Sequence, residues 1–115
     1  MEDCVFCKIS LGEIPSEKIY ENEEFFSIPD ANPVAEGHSL VISKKHFETS
    51  LDIPNELGPK LLDCIKETAN KLMKKYDSSV FNVVNNNFKS AGQIVPHAHF
   101  HIIPRKKGEK INIPL

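Results

Sequence analysis

The sequence predicts an α+β fold: an antiparallel sheet of about five strands, one long helix packed on a face of it, and a short helical turn at the N-terminal end. Three patterns lead there. Apolar residues recur at helical spacing through only one long stretch, at Leu57, Leu61, Ile65, Ala69, Leu72 and Tyr76. Short alternating or apolar runs bounded by turn residues lie on both sides of it. Pro96 to Arg105 alternates strictly, so that His97, His99 and His101 share one strand face while Ala98, Phe100 and Ile102 share the other.

In chain order, Cys4-Val5-Phe6-Cys7 and Lys8-Ile9-Ser10 form the N-terminal helical turn, and Leu11 to Ser16 breaks it. Lys18 to Glu21 alternates polar and apolar as a strand, Asn22-Glu23 suits a tight turn, and Glu24 to Ile28 returns as the second strand of a hairpin. After the turn residues Pro29 to Pro33, Gly37 to Ser43 is apolar enough for a central strand. The helix runs from Asn55, a candidate N-cap, to Tyr76, with Pro59 tolerated in its first turn. Cys64 on it reads as a small buried hydrophobe. Ser79 to Val84 is a fourth strand, and a long connection through Asn85-Asn86-Asn87 and Phe88 to Gln93 brings the histidine strand beside it. Ile111 to Leu115 is apolar enough to dock on the body or on a second subunit.

With 115 residues the chain is read as one domain, 1–115, of which 106–115 form a C-terminal tail. Fourteen basic against sixteen acidic residues and a pI near 6.2 argue against broad electrostatic capture of nucleic acid or of an anionic membrane. A small phosphate-bearing ligand remains compatible with that balance. The first residues lack a basic segment followed by an apolar run, and no window approaches the ~18 apolar residues of a membrane span. The expectation is a soluble, cytoplasmic protein. Three cysteines, two of them in Cys4-x-x-Cys7, favour a metal pair or plain thiols over a disulfide framework.

Three of the five histidines fall within five residues, whereas a solvated strand face mixes Thr, Lys, Glu and Ser. Successive rings on such a face stand roughly 6.6 Å apart, close enough to act on one small substrate. A catalytic zinc site of three imidazoles must converge on one ion at about 2.0–2.1 Å, which a flat strand does not easily allow. The alternative is a nucleophile with helpers. A neutral imidazole attacks at pH 7, and two flanking imidazoles disfavour protonation of the middle one, His99. Its ring needs an acceptor on the non-attacking nitrogen, and a main-chain carbonyl such as that of His97 is near. An Asn amide from the 85–87 run and the N–H groups of Gly92-Gln93 are neutral donors suited to phosphate oxygens, with Gly92 permitting close approach.

His97-Ala98-His99-Phe100-His101-Ile102-Ile103 resembles the His-x-His-x-His-x-x signature of the histidine-triad (HIT) superfamily. The likeness extends through Asp30, Gly37 to Ile42, Lys44-Lys45-His46, Asn85-Asn86-Asn87 and Ala91-Gly92-Gln93, covers residues 4–105, and is to the Hint-like branch. It implies a homodimer that binds a purine nucleotide without an organic cofactor. The implied reaction releases a nucleoside monophosphate, typically AMP, from a phosphoramidate, an acyl-adenylate or a dinucleoside polyphosphate. By the same resemblance His99 is the nucleophile that becomes nucleotidyl-histidine, His101 contacts the phosphate and leaving group, His97 orients His99, and His38 joins their polar network. Asp30 would take the ribose hydroxyls, and Ile28 and Ala31 would line the base pocket. Counting back from His97 puts the phosphate-side Asn at Asn86, and counting on from the preceding strand puts it at Asn85. Two positions depart from the pattern: Ile94 stands where Ser or Thr is common and so lacks a hydroxyl donor, and Phe88 stands where Gly is common.

Cys4-x-x-Cys7 alone does not specify zinc, because no second Cys-x-x-Cys completes it. Some members of the superfamily with this N-terminal pair bind structural zinc, and that resemblance implies Cys4, Cys7, His46 and His97 as a closed set of four. A rival to the enzyme reading is a nucleotide- or zinc-binding interaction module with little turnover, for which the loss of a hydroxyl at Ile94 speaks. A third reading is a metal-dependent hydrolase using all three histidines.

Overall fold

Asn22 sets the first hairpin. Its side-chain oxygen accepts the N–H groups of Glu24 and Phe25, each at 3.0 Å, and so turns the chain between the first two strands. The computed structural model describes residues 3–111, ordered α1 (Val5–Ser10), β1 (Tyr20–Glu21), β2 (Phe25–Pro29), β3 (Ser39–Ser43), α2 (Gly58–Lys75), β4 (Val80–Val84) and β5 (His99–Arg105). The five strands form one antiparallel sheet in the order β1-β2-β3-β5-β4. The α+β architecture expected from the sequence is therefore present, with one long helix and a short N-terminal one.

Alternation along the strands divides the core in two. Phe25, Val41, Phe100 and Ile102 pack with Cys64, Ala69 and Leu72 of α2, while Phe26, Ile28, Leu40 and Ile42 pack with Cys4, Phe6 and Ile9 at α1. Each fully buried large apolar side chain contributes about 1.5–3 kcal/mol, so the central strands hold the sheet together from both sides. Ser27, buried under α2, is satisfied by the Thr68 hydroxyl, which donates to it at 2.7 Å. Because His99 and His101 alternate with Phe100 and Ile102, they emerge on the α1 side of the sheet, away from α2.

Several expected boundaries move. Asn55 does not cap the long helix: residues 55–57 make a separate 3-10 turn, and α2 starts at Gly58 with Pro59 in its first turn. That turn is closed by the Leu57 N–H on the Pro54 carbonyl, which leaves the Asn55 side chain out of the helix start. β1 is two residues long and β3 begins at Ser39, because Gly37 takes φ +85° and turns the chain into the strand. A Cβ on Gly37 would sit 2.7 Å from the Tyr76 ring, so glycine there lets the end of α2 close over the loop. The apolar tail expected to dock lies, beyond Ile111, outside the described residues. Among the described residues no helix is long and apolar enough to cross a membrane.

Candidate active site and metal centre

β5 presents His99 and His101 side by side, with ring centroids 5.2 Å apart. The His99 Nδ1 lies 2.7 Å from the His97 carbonyl oxygen. A carbonyl only accepts, so Nδ1 carries the proton and the Nε2 lone pair is free to attack. His101 is specified less directly. The Val34 N–H donates to His38 Nδ1 at 3.1 Å, which leaves the His38 proton on Nε2. That Nε2–H faces His101 Nδ1 at 2.9 Å and the Asp30 carboxylate at 3.3 Å. His101 therefore accepts on Nδ1 and carries its own proton on Nε2. Burial pushes His101 down to about 4, helped by the neighbouring imidazoles of His99 and His38 and opposed by Asp30. Burial also lowers His38, against the pull of Asp30. Both rings are thus neutral at pH 7, as this chain of tautomers requires.

His97 lies just outside the strand that carries the other two. It precedes β5, because its N–H closes onto the Val95 carbonyl at 2.8 Å and the Ala98 N–H goes to the Phe47 carbonyl at 2.6 Å instead of extending the ladder. Its ring is fully buried. Nε2 donates to the Ser43 carbonyl at 2.7 Å, so the Nδ1 lone pair faces Cys4 Sγ at 3.2 Å and Cys7 Sγ at 3.5 Å. His46 Nδ1 approaches Cys7 Sγ at 3.3 Å, and one ligand atom from each of Cys4, Cys7, His46 and His97 lies within 4.8 Å of the others. These four could hold a metal ion. Burial, and then the neighbouring Cys4 sulfur, pushes the Cys7 thiol up to about 11, a cost that a bound cation would reverse. The three cysteines are free. Asp30, His38 and His101 form a second group of potential ligands within 4.8 Å.

The remaining candidates separate. Asn85 Nδ2 donates to the His99 carbonyl at 2.9 Å, whereas the Asn86 amide faces Gly92, where an added Cβ would stand 3.5 Å from its nitrogen. The N–H groups of Gly92 and Gln93 are not open to a phosphate: they donate to the Lys89 and Phe88 carbonyls at 2.9 and 3.1 Å, closing the turn at 89–91. The Gln93 side chain braces the same loop, accepting from Phe88 N–H at 2.7 Å and donating to the Glu48 and Val95 carbonyls. Ile28 is buried among Phe6, Phe26 and Leu40, and Ala31 is exposed. Ile94 is 92% exposed, and Phe88 takes φ +74°, a conformation that glycine adopts at little cost. The groups missed from sequence are mostly main-chain, the Val34 N–H and the Ser43 carbonyl, and no residue type announces them.

The HIT domain model matches residues 11–108, and the chain belongs to the HIT family, on its Hint-like side. An uncharacterised HIT-like protein of Methanocaldococcus jannaschii is 43% identical over 92% of this chain and 81% of its own length. An adenylylsulfatase of Arabidopsis thaliana is 42% identical over 91% of the chain, which spans 53% of that relative. An adenosine 5′-monophosphoramidase of Saccharomyces cerevisiae is 43% identical over 90% of the chain and 63% of its own length. The crystal structure of a Streptococcus mutans protein superposes with a TM-score of 0.91 at 38% identity, covering all of this chain and 73% of that one. A zinc-bound histidine triad family protein of Mycobacterium smegmatis superposes at 0.86 and 35% identity, over 95% of this chain and 79% of that one.

Proposed function

We propose that this protein is a nucleotide hydrolase or transferase that removes a nucleoside monophosphate, AMP above all, from a phosphoramidate, an acyl-adenylate or a dinucleoside polyphosphate. The observation that carries the reading is the 2.7 Å bond from His99 Nδ1 to the His97 carbonyl, which assigns Nδ1 the donor role and reserves Nε2 for attack. The names of the Arabidopsis and Saccharomyces relatives support the substrate class. In the first half-reaction His99 Nε2 attacks phosphorus and the bond to the leaving group breaks. The leaving amine takes a proton from the His101 Nε2–H beside it, His101 entering the step as the imidazolium paired with the substrate's anionic phosphate and leaving it as the neutral ring, and the attacking water of the second half restores that proton. In the second half water attacks nucleotidyl-His99, releasing the monophosphate and the free imidazole. Asp30 would take the ribose hydroxyls at the edge of the histidine cluster, and Ile28 and Ala31 would border the base. Asn85, already bonded to His99, is the better phosphate-side Asn than Asn86.

For the metal centre we infer zinc. Tetrahedral bonds of about 2.3 Å to sulfur and 2.0–2.1 Å to nitrogen put neighbouring ligand atoms about 3.6 Å apart, close to the S···N separations of 3.2–3.5 Å found between the cysteines and their histidines. Zinc there would be structural, fixing α1 and the His97 ring. We also read the chain as a homodimer, paired through α2 and β4, and as cytoplasmic, where Cys4 and Cys7 stay thiols. Hydrolysis of an adenosine phosphoramidate bearing a fluorescent amine tests the activity: an enzyme releases the amine at catalytic concentrations, and a binding module releases none.

A further inference from the structure

The His99 carbonyl is the end of a chain of hydrogen bonds that starts 49 positions earlier in the sequence. The Ser50 N–H and hydroxyl both donate to Asn87 Oδ1, at 2.8 and 2.9 Å. Asn87 Nδ2 donates to Asn85 Oδ1 at 2.7 Å, and Asn85 Nδ2 donates to the His99 carbonyl at 2.9 Å. An amide side chain is nearly symmetric in shape, so its orientation follows from its partners. The terminal groups of this chain have fixed polarity: a main-chain N–H can only donate and a main-chain carbonyl can only accept. Both ends demand the same orientation of both amides. Each link is short and at least half-buried on one side, and Ser50 is held in turn by the capping box of Thr49 and Asp52 on the 50–52 turn.

We propose that Asn87 is a positioning residue: it fixes the amide of Asn85 so that nitrogen, not oxygen, faces the His99 carbonyl and the phosphate of the substrate. The ladder between β4 and β5 stops at the pair Val84 and His101, and Asn85 adds one further bond to it, at the nucleophile. The second hydrogen on Asn85 Nδ2 is then a neutral donor for a phosphate oxygen. Were the amide turned over, its oxygen would meet the His99 carbonyl and a phosphate oxygen, both repulsive. This inference rests on the reading of His99 as the nucleophile for its catalytic consequence, but the orientation of Asn85 is independent of that reading.

Two substitutions separate orientation from packing. Asn87→Asp keeps the shape and both bonds from Ser50 but offers only acceptors to Asn85 Oδ1, so it favours the wrong orientation. Asn87→Ala removes the partner without imposing an orientation. The full chain is assayed for hydrolysis of the adenosine phosphoramidate and for melting temperature, and the Asn85 side-chain amide is followed by NMR of protein labelled with ¹⁵N. The expected order of turnover is wild type, then Asn87→Ala down by about tenfold, then Asn87→Asp down by about 10²-fold, with Asn87→Asp melting no lower than Asn87→Ala. The Asn85 amide resonance shifts and loses exchange protection in Asn87→Asp. Ser50→Ala, which retains the N–H donor, stays within about twofold of wild type. A packing role predicts the reverse order, with Asn87→Asp the better enzyme, and that result, or an Asn85 amide indifferent to Asn87→Asp, overturns the proposal. If the wild type shows no turnover the catalytic reading fails, and the Asn85 resonance still decides the orientation.

Discussion

At the scale of single residues, the site is specified by groups that cannot change polarity. The carbonyls of His97 and Ser43 and the N–H of Val34 settle where the protons of His99, His97 and His38 reside, and His38 then settles His101. Neutrality of His101 has a thermodynamic consequence. An imidazole whose pKa is lowered on folding binds fewer protons folded than unfolded, so stability rises with pH between the two values. For His101 that window runs from about 4 to 6.5: its stabilising contribution is complete above 6.5 and is lost as pH falls toward 4. In His101→Asn, the difference in denaturant stability between about pH 7 and about pH 4.5 should shrink relative to wild type. An unchanged difference would show that His101 titrates alike in both states. The histidine pattern itself was legible because alternation fixes which rings face together, and the acceptor for His99 was foreseeable from strand geometry. That the strand begins only at His99 was not, because the cause lies in main-chain bonds to Val95 and Phe47, from residues that carry no chemical signature.

The secondary elements differ in how far they stand on their own. α2 was readable from its period because eighteen residues give the apolar face several turns to repeat. Its first residue was not readable, since the choice between a capped helix and a 3-10 turn at Asn55 depends on what the preceding chain packs against. α1 has six residues, too few to be helical alone, and depends on burying Cys4, Phe6 and Ile9 beside β2 and β3. A metal held by Cys4 and Cys7 would bind that element to His46, just past β3, and to His97, just before β5. Cys4→Ser should therefore lower the melting temperature markedly, while the folded remainder keeps most of its turnover, because His99 and His101 lie outside the metal set. Elemental analysis of protein purified without chelator should find about one zinc per chain. Protein free of zinc, or a Cys4→Ser variant as stable as wild type, would contradict the assignment.

For the whole molecule, β4 is a sheet edge that lacks the usual protection. Val80, Phe81 and Val83 on it are exposed, as is Leu62 on α2, whereas edge strands of a monomer tend to carry charge or proline. The proposed two-fold pairing through this face would cover those side chains on both copies. Light scattering at micromolar concentration should give twice the 13.0 kDa of one chain, and Phe81→Glu should move the mass toward that of the monomer. A wild-type mass near 13.0 kDa would remove the pairing. The central claim, that this fold presents one imidazole nitrogen, His99 Nε2, to a phosphorus atom, is tested most directly at His99. Wild type and His99→Asn are mixed with labelled adenosine phosphoramidate and quenched rapidly under conditions that preserve a phosphorus–nitrogen bond. The account predicts label on the peptide containing His99 in wild type. In His99→Asn it predicts turnover lower by several orders of magnitude, with nucleotide affinity within about tenfold, ~1.4 kcal/mol, of wild type. A His99→Asn protein that turns over substrate at close to the wild-type rate would contradict it, and the histidine strand would then be a binding platform.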